Sequence, residues 1–268
     1  MLVDSTLVYP YFPVCTFVPD WIEENKTTGL ALEWRSALVS FFVTKQFNPQ
    51  EAFLVGSGFL FLCDGKMPCI VTASHVITDM RNSDFSFISI DGVKFPFEHL
   101  EIMFNDKQDY ALIPLSEKIA LGIHKSKVFT SKEDGSEIKT SSFVIMGYPA
   151  KHNKLHIKRP ENGLHPFNLT FHNFYYERET EDIFFHFVPD GKKKNVTFEN
   201  ISTINSIPSL AGMSGGVIAQ IVMHRTSGQL SLRAAGIFKE HRAKRGNYLV
   251  GATFIDFADE VNALTKSQ

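Results

Sequence analysis

The sequence predicts an all-β fold, a sandwich or a barrel. Apolar residues recur in short alternating runs, turn residues separate those runs, and helical periodicity is scarce. The 25 phenylalanines favour pleated, half-buried surfaces and aromatic packing. With 268 residues, 44% of them hydrophobic, the chain can bury a sizeable core, as one large β domain or two small ones.

In chain order, a strand is expected over 36–44, where Ala37-Leu38-Val39 and Phe41-Phe42-Val43 form an apolar run. The next covers 53–63 and contains Gly56-Ser57-Gly58. Glycines inside a strand mark a bend or a close backbone approach. Asp64-Gly65-Lys66 reads as a tight turn, and 69–73 returns as the partner strand. Asp91-Gly92 signals a second hairpin, between runs at 85–90 and 94–97. Further strands are expected at 110–114, 142–147, 217–222, 230–238 and 248–253. Two segments read as helix: a short turn at 75–80 and a closing helix at 254–264. The stretch 150–205 mixes many aromatics with charges. Its alternation predicts hairpins and core in preference to a dedicated binding surface. Lys192-Lys193-Lys194 comes after Asp190-Gly191 and reads as a solvated turn.

A formal net charge of -2 gives no electrostatic reason to expect nucleic acid or a membrane as partner. The N-terminus lacks a basic start, and Pro10, Pro13 and Asp20 interrupt the first twenty residues. Neither a signal peptide nor a membrane span is expected, so a cytoplasmic location is the default. Of the three cysteines, Cys63 and Cys69 could face each other across a hairpin, but free buried thiols are favoured over a disulfide, with Cys15 left over.

Three local patterns carry chemistry. Gly212-Met213-Ser214-Gly215-Gly216 places a serine among glycines, which let the backbone bring N–H groups close to a bound carbonyl. Val71-Thr72-Ala73-Ser74-His75 ends a strand on a histidine, where the ring can project into a cleft. Asp109 stands immediately before the apolar run Tyr110-Ala111-Leu112-Ile113. Each has a bland reading by itself: a flexible loop, a structural histidine, a strand-start aspartate. Together they supply a nucleophile, a base and a group to orient that base. No metal or organic cofactor is signalled; His152 and His156 would share a helical face, but their stretch does not read as helix.

The three patterns, in this order, resemble the chymotrypsin-like serine peptidases, closest to the bacterial HtrA-type protease domains. Thr72-Ala73-Ser74-His75 is similar to the family's Thr-Ala-Ala-His, and Asp109-Tyr110-Ala111-Leu112 to its Asp-Xaa-Ala-Leu. The serine motif is similar to Gly-Asp/Asn-Ser-Gly-Gly, and Gly56-Ser57-Gly58-Phe59 to the Gly-Ser-Gly-Phe that precedes the histidine strand. The resemblance implies two six-stranded antiparallel Greek-key barrels, the first over about 36–125 and the second over about 126–253, closed by the helix at 254–264. Residues 1–35 become an N-terminal extension packing on the barrels.

The same resemblance implies a serine endopeptidase acting on protein or peptide substrates without a cofactor. Ser214 would be the nucleophile, His75 the general base, Asp109 the group that orients it, and the N–H groups of Gly212 and Ser214 the oxyanion hole. Pro208 and Ser209 fall where the family places the floor of its specificity pocket; with no acid there, a preference for Lys or Arg is not expected. Gly236 and Phe238 fall on the strand that lines the substrate cleft, and Lys239, Glu240 and His241 at its wall, where Glu240 could attract a basic side chain, although a solvent-facing loop is the favoured reading for these three. Met213 stands where zymogen-activated members carry the Asp that pairs with a new N-terminus. Activation by N-terminal trimming is therefore not expected, and control by a regulatory protein partner becomes the more natural expectation. The alternative is a catalytically silent relative that binds peptide by strand addition.

Overall fold

A computed structural model describes residues 11–13, 29–45, 48–62, 68–98, 100–123, 125–130, 142–153, 155–156, 164–171, 175–177, 179–180, 182–186, 196–197, 209–224, 226–242 and 248–253. The expected closing helix at 254–264, the Asp64-Gly65-Lys66 turn, the Lys192–Lys194 run, Cys15, Cys63 and Pro208 lie outside the described residues. Among these residues, two nine-stranded sheets, antiparallel in all but one pairing, carry the fold.

The first sheet contains β2 (Leu38–Lys45), β3 (Asn48–Leu62), β4 (Cys69–Thr72), β5 (Ser86–Ile90), β6 (Val93–Pro96), β7 (Met103–Asn105) and β8 (Tyr110–Pro114). Their order is β6-β5-β2-β3-β4-β8-β7. β9 (Phe129–Thr130) runs parallel to β3, and β11 (Leu155–His156) antiparallel to its other end. The second sheet orders β13 (Tyr175–Glu177), β14 (Asp182–His186), β18 (Tyr248–Thr253), β17 (Leu230–Arg242), β16 (Val217–His224), β10 (Phe143–Gly147), β12 (Phe167–Phe171) and β15 (Val196–Thr197). β1 (Tyr11–Pro13) pairs with the end of β16. Among the described residues neither ladder closes on itself, so each expected six-stranded barrel is a longer, open sheet.

Local chemistry explains most elements. Asp91 and Gly92 both take positive φ (46° and 81°), the geometry of a two-residue hairpin turn, and join β5 to β6. The helix α1 (Ser74–Arg81) buries Val76, Ile77 and Met80 on one face and leaves His75, Thr78 and Asp79 exposed on the other. A second short helix, α2 (Glu117–Gly122), was not expected from periodicity; Ser116 caps it by accepting the Ile119 N–H. β7 and β9 are also additional, and their length of three and two residues is below what alternation can register.

Three apolar clusters fill the molecule. One lies between the sheets and joins Phe42, Phe59 and Phe61 of the first to Val144, Met146 and Val217 of the second. A second seats α1 against Val39, Phe41 and Ile88. The third gathers Phe143, Phe167, Phe171, Phe185 and Phe238 with Met213. Of the aromatic-rich stretch, Phe167, Phe171 and Phe185 are therefore core. In the N-terminal extension, Leu30 and Ala31 join the inter-sheet cluster, and the Trp34 ring stacks on Phe129 with centroids 4.5 Å apart. Cys69 is buried in the inter-sheet cluster.

Candidate active site

His75 is placed by the end of β4 and the first turn of α1. Asp109 is placed by the hairpin between β7 and β8. That turn is held by Asn105, whose side-chain oxygen accepts the Gln108 N–H at 3.1 Å. It ends with Asp109 at φ +57°, a left-handed conformation that aspartate tolerates better than most residues. The twist presents the Asp109 carboxylate to the start of α1. Its Oδ2 lies 2.9 Å and its Oδ1 3.2 Å from His75 Nδ1, and Oδ1 also accepts the His75 N–H at 3.2 Å. The Asp109 carbonyl accepts the Ser74 N–H, and the Ser74 hydroxyl bonds Asp106 Oδ1 at 2.7 Å. Helix and hairpin are thus tied by three further bonds around the His75–Asp109 contact.

Because a carboxylate can only accept, this contact fixes the proton of neutral His75 on Nδ1 and leaves the Nε2 lone pair available. The hydrogen bond to Asp109 holds the imidazole pKa above its ordinary value, against the opposing effect of burial; the Asp109, Asp79 and Glu240 charges add to it. Burial pushes the Asp109 carboxyl up, but the bond from His75, the His75 charge and Lys239 together bring it below the usual carboxylate range.

Ser214 sits on the loop that enters β16. Gly212 and Gly215 have φ of +89° and +85°. A Cβ on Gly215 would stand 2.2 Å from the Ser57 carbonyl oxygen, and one on Gly216 2.3 Å from that of Met146. The glycines are thus required both by backbone conformation and by the closeness of the strands.

The loop's hydrogen bonds are nearly complete, and the exceptions are informative. Every carbonyl from Ala211 to Ser214 accepts a bond: from Ala150 N–H (2.7 Å), the Ser57 hydroxyl (2.7 Å), Gly216 N–H (2.8 Å) and Ser57 N–H (2.8 Å) in turn. The N–H groups of Met213, Gly215 and Gly216 donate to Leu210, Phe238 and Met213. Those of Gly212 and Ser214 donate to nothing among the described residues. The loop thus keeps two backbone donors, one on Gly212 and one on the serine itself, without an acceptor among the described residues.

The Ser214 hydroxyl donates to the Lys239 carbonyl at 2.9 Å. Among the described residues no hydrogen bond joins it to His75. The structure therefore brings His75 and Asp109 together and holds Ser214 in a separate bond, on the opposite sheet.

The remaining expected site residues divide. Ser209 is exposed and its hydroxyl accepts the Ala211 N–H. Gly236 is buried in β17, with the Ala252 carbonyl against the place of its Cβ. Phe238 is only 1% exposed: its ring belongs to the core and does not line a cleft, while its backbone clamps Gly215 and Gly216. Glu240 is exposed and pairs with Arg242 at 2.6 Å. Lys239 is the extra residue of a bulge, between the pairs Phe238–Gly251 and Glu240–Val250. The bulge aims its carbonyl at Ser214 and its ammonium at Asp182, 2.9 Å away, with both side chains largely buried.

Asp182 was missed by sequence reasoning, since its partner lies two strands away across β18. Replacing it with alanine is expected to destabilise the fold by about 3 kcal/mol, because an uncompensated ammonium remains. Urea melts of Asp182→Ala and of the apolar pair Asp182→Leu/Lys239→Met check this; the pair is expected to recover most of the loss. Equal midpoints for wild type and Asp182→Ala would show the bridge to be inert. Ser57, whose hydroxyl and N–H bond the serine loop, was also missed, although Gly56-Ser57-Gly58 is visible in the sequence as an unusual strand interior.

No protein-family profile matches the chain, and no curated protein matches its sequence. Its fold is that of the chymotrypsin-like serine proteases. The HtrA-type protease AlgW, solved with a decapeptide, superposes with a TM-score of 0.50 at 12% identity, over 90% of this chain and 67% of that one. The serine protease domain of the Sesbania mosaic virus polyprotein gives 0.46 at 15% identity, covering 94% and 97%. A protease from M. tuberculosis, in its active form, gives 0.46 at 11%, covering 95% and 90%. No helix among the described residues is long and apolar enough to cross a membrane.

Proposed function

We propose that this chain is a serine endopeptidase that hydrolyses peptide bonds of protein substrates through an acyl-enzyme. The observation that carries this reading is the pair of N–H groups at Gly212 and Ser214, on either side of Met213, that find no acceptor among the described residues. Donors held in advance beside a nucleophile stabilise the oxyanion of a tetrahedral intermediate; losing one typically costs about 3–4 kcal/mol. Ser214 Oγ attacks the scissile carbonyl carbon, and its proton passes to His75 Nε2. Collapse of the intermediate returns that proton to the leaving amine, and a water repeats the sequence to release the acid. Asp109 keeps Nδ1–H oriented and stabilises the imidazolium. For this, the Ser214 hydroxyl must rotate from the Lys239 carbonyl toward His75, an adjustment common between a resting and a substrate-bound site.

Met213 is fully buried among apolar residues, so nothing there would receive a new N-terminal ammonium. Activation by trimming is not part of the proposal. Control by a partner that reorients the Ser214 hydroxyl is compatible with it. The bond from Ser214 to Lys239 also favours the second reading, a catalytically silent peptide-binding module.

A fluorophosphonate serine probe separates the two. Labelling of the wild-type protein, absent from folded Ser214→Ala, is the expected result. A folded wild-type protein that takes no label, alone or with an activating partner, leaves the binding-module reading.

A further inference from the structure

We propose that Ser57 is the positioning residue of the nucleophile loop, acting from the opposite sheet to hold the oxyanion donors of Gly212 and Ser214 in place. This rests on the peptidase reading and adds to it a residue that never touches substrate. Ser57 is fully buried in β3 of the first sheet, while the loop belongs to the second. Every polar group it carries is engaged. Its N–H donates to the Ser214 carbonyl at 2.8 Å. Its hydroxyl donates to the Gly212 carbonyl at 2.7 Å and accepts the Tyr148 N–H at 2.8 Å. Its carbonyl accepts the Thr72 hydroxyl at 2.7 Å, and Thr72 ends the strand that leads to His75.

Peptide planes supply the physical argument. A trans peptide directs its C=O and N–H to opposite sides, so a tethered carbonyl also aims the next residue's N–H. The Ala211 carbonyl, held by Ala150 N–H, aims the Gly212 N–H; the Met213 carbonyl, held by Gly216 N–H, aims that of Ser214. Ser57 holds the two carbonyls of Gly212 and Ser214, one plane further along in each case. Fixing Ala211 on one side of the Gly212 Cα and Gly212 on the other leaves that residue one conformation, at φ +89°. Without the Ser57 hydroxyl, the Gly212–Met213 plane loses the only bond that its carbonyl receives among the described residues. The plane is then held only by its Met213 N–H bond to the Leu210 carbonyl, and the wide φ/ψ range of glycine lets it tilt about that bond. The Tyr148 bond brings in the 148–150 segment, so one hydroxyl joins both supports of the Gly212 unit.

Ser57→Ala tests this. Per folded molecule, the rate of Ser214 labelling by a fluorophosphonate is expected to fall about ten- to hundredfold, since one donor is loosened and not deleted. On a peptide ester, kcat falls while KM stays. The pH midpoint stays too, because the His75–Asp109 contact is untouched. Amide hydrogen exchange over 210–216 becomes faster, with 74–81 unchanged. Ser57→Cys keeps a weak donor at the same place and serves if the alanine variant does not fold; its rates are expected between alanine and wild type. Wild-type labelling per folded molecule, or unchanged exchange over 210–216, overturns the proposal. A wild-type protein that never labels counts against the peptidase reading alone, and exchange over 210–216 then decides the role of Ser57.

Discussion

Ser214→Ala, His75→Ala and the double variant are expected to lower kcat by nearly the same factor, on the order of 10⁶. Nucleophile and base act as one unit: an unassisted hydroxyl is a poor nucleophile, and a base with nothing to deprotonate contributes nothing. Their losses therefore do not add. The two residues come from different sheets, His75 from the start of α1 and Ser214 from the loop before β16, so neither replacement removes a support of the other. His75 is exposed enough, at 45% of its side chain, for alanine to leave the fold intact. Single-turnover hydrolysis of an activated ester, with thermal melts as a control, measures the comparison. Should the double variant be slower than either single one by the product of their effects, the two side chains work independently and the proposed mechanism fails.

Asp109→Asn carries the second large effect, a fall in kcat of about 10⁴-fold with little change in KM. An amide can present an N–H where the carboxylate presented only acceptors, so the imidazole can turn to the wrong tautomer and lose its base at Nε2. The pH dependence gives the sharper test. A general base must be neutral, so under the proposed mechanism activity of the wild-type protein is expected to fall as pH drops through the His75 pKa, which Asp109 holds above the ordinary imidazole value. In Asp109→Asn that midpoint is expected to move down. The stability linkage has a matching sign. The raised His75 value means its contribution is fully present below the unfolded pKa and lost as pH rises through the folded one. The lowered Asp109 value means its contribution is present above the unfolded carboxylate pKa and lost as pH falls through the folded one. The pair therefore contributes most between the two, in mildly acidic solution. An unmoved midpoint in Asp109→Asn would remove Asp109 from the proposed mechanism.

The residues of the candidate site were legible for a reason particular to each. Glycine is obligatory where φ is positive and a neighbouring carbonyl lies within 2.2 Å of any Cβ, so Gly215 leaves a mark that survives in the sequence alone. His75 and Asp109 were legible because each adjoins an apolar strand whose direction fixes where the next residue goes. The burial of the Phe238 ring was not legible because strand alternation tells which residues share a face, not which face meets the core. Lys239 is a further case: the bulge between Phe238 and Glu240 breaks the alternation there, and no composition signal marks it.

By itself the sequence determined the all-β class, the strand periods, the hairpin at Asp91-Gly92 and the three residues, His75, Asp109 and Ser214, on which the proposed function rests. These come from local chemistry: backbone freedom, alternation and side-chain reactivity. Only the tertiary structure decided that the two sheets stay open among the described residues, that Lys239 is neutralised by Asp182, and that the Ser214 hydroxyl rests on the Lys239 carbonyl. It alone also made Ser57 a clamp on a loop 155 residues away. Those contacts join segments distant along the chain, and a hydrogen bond of 2.7 Å between them has no period, no spacing and no composition by which a sequence could announce it.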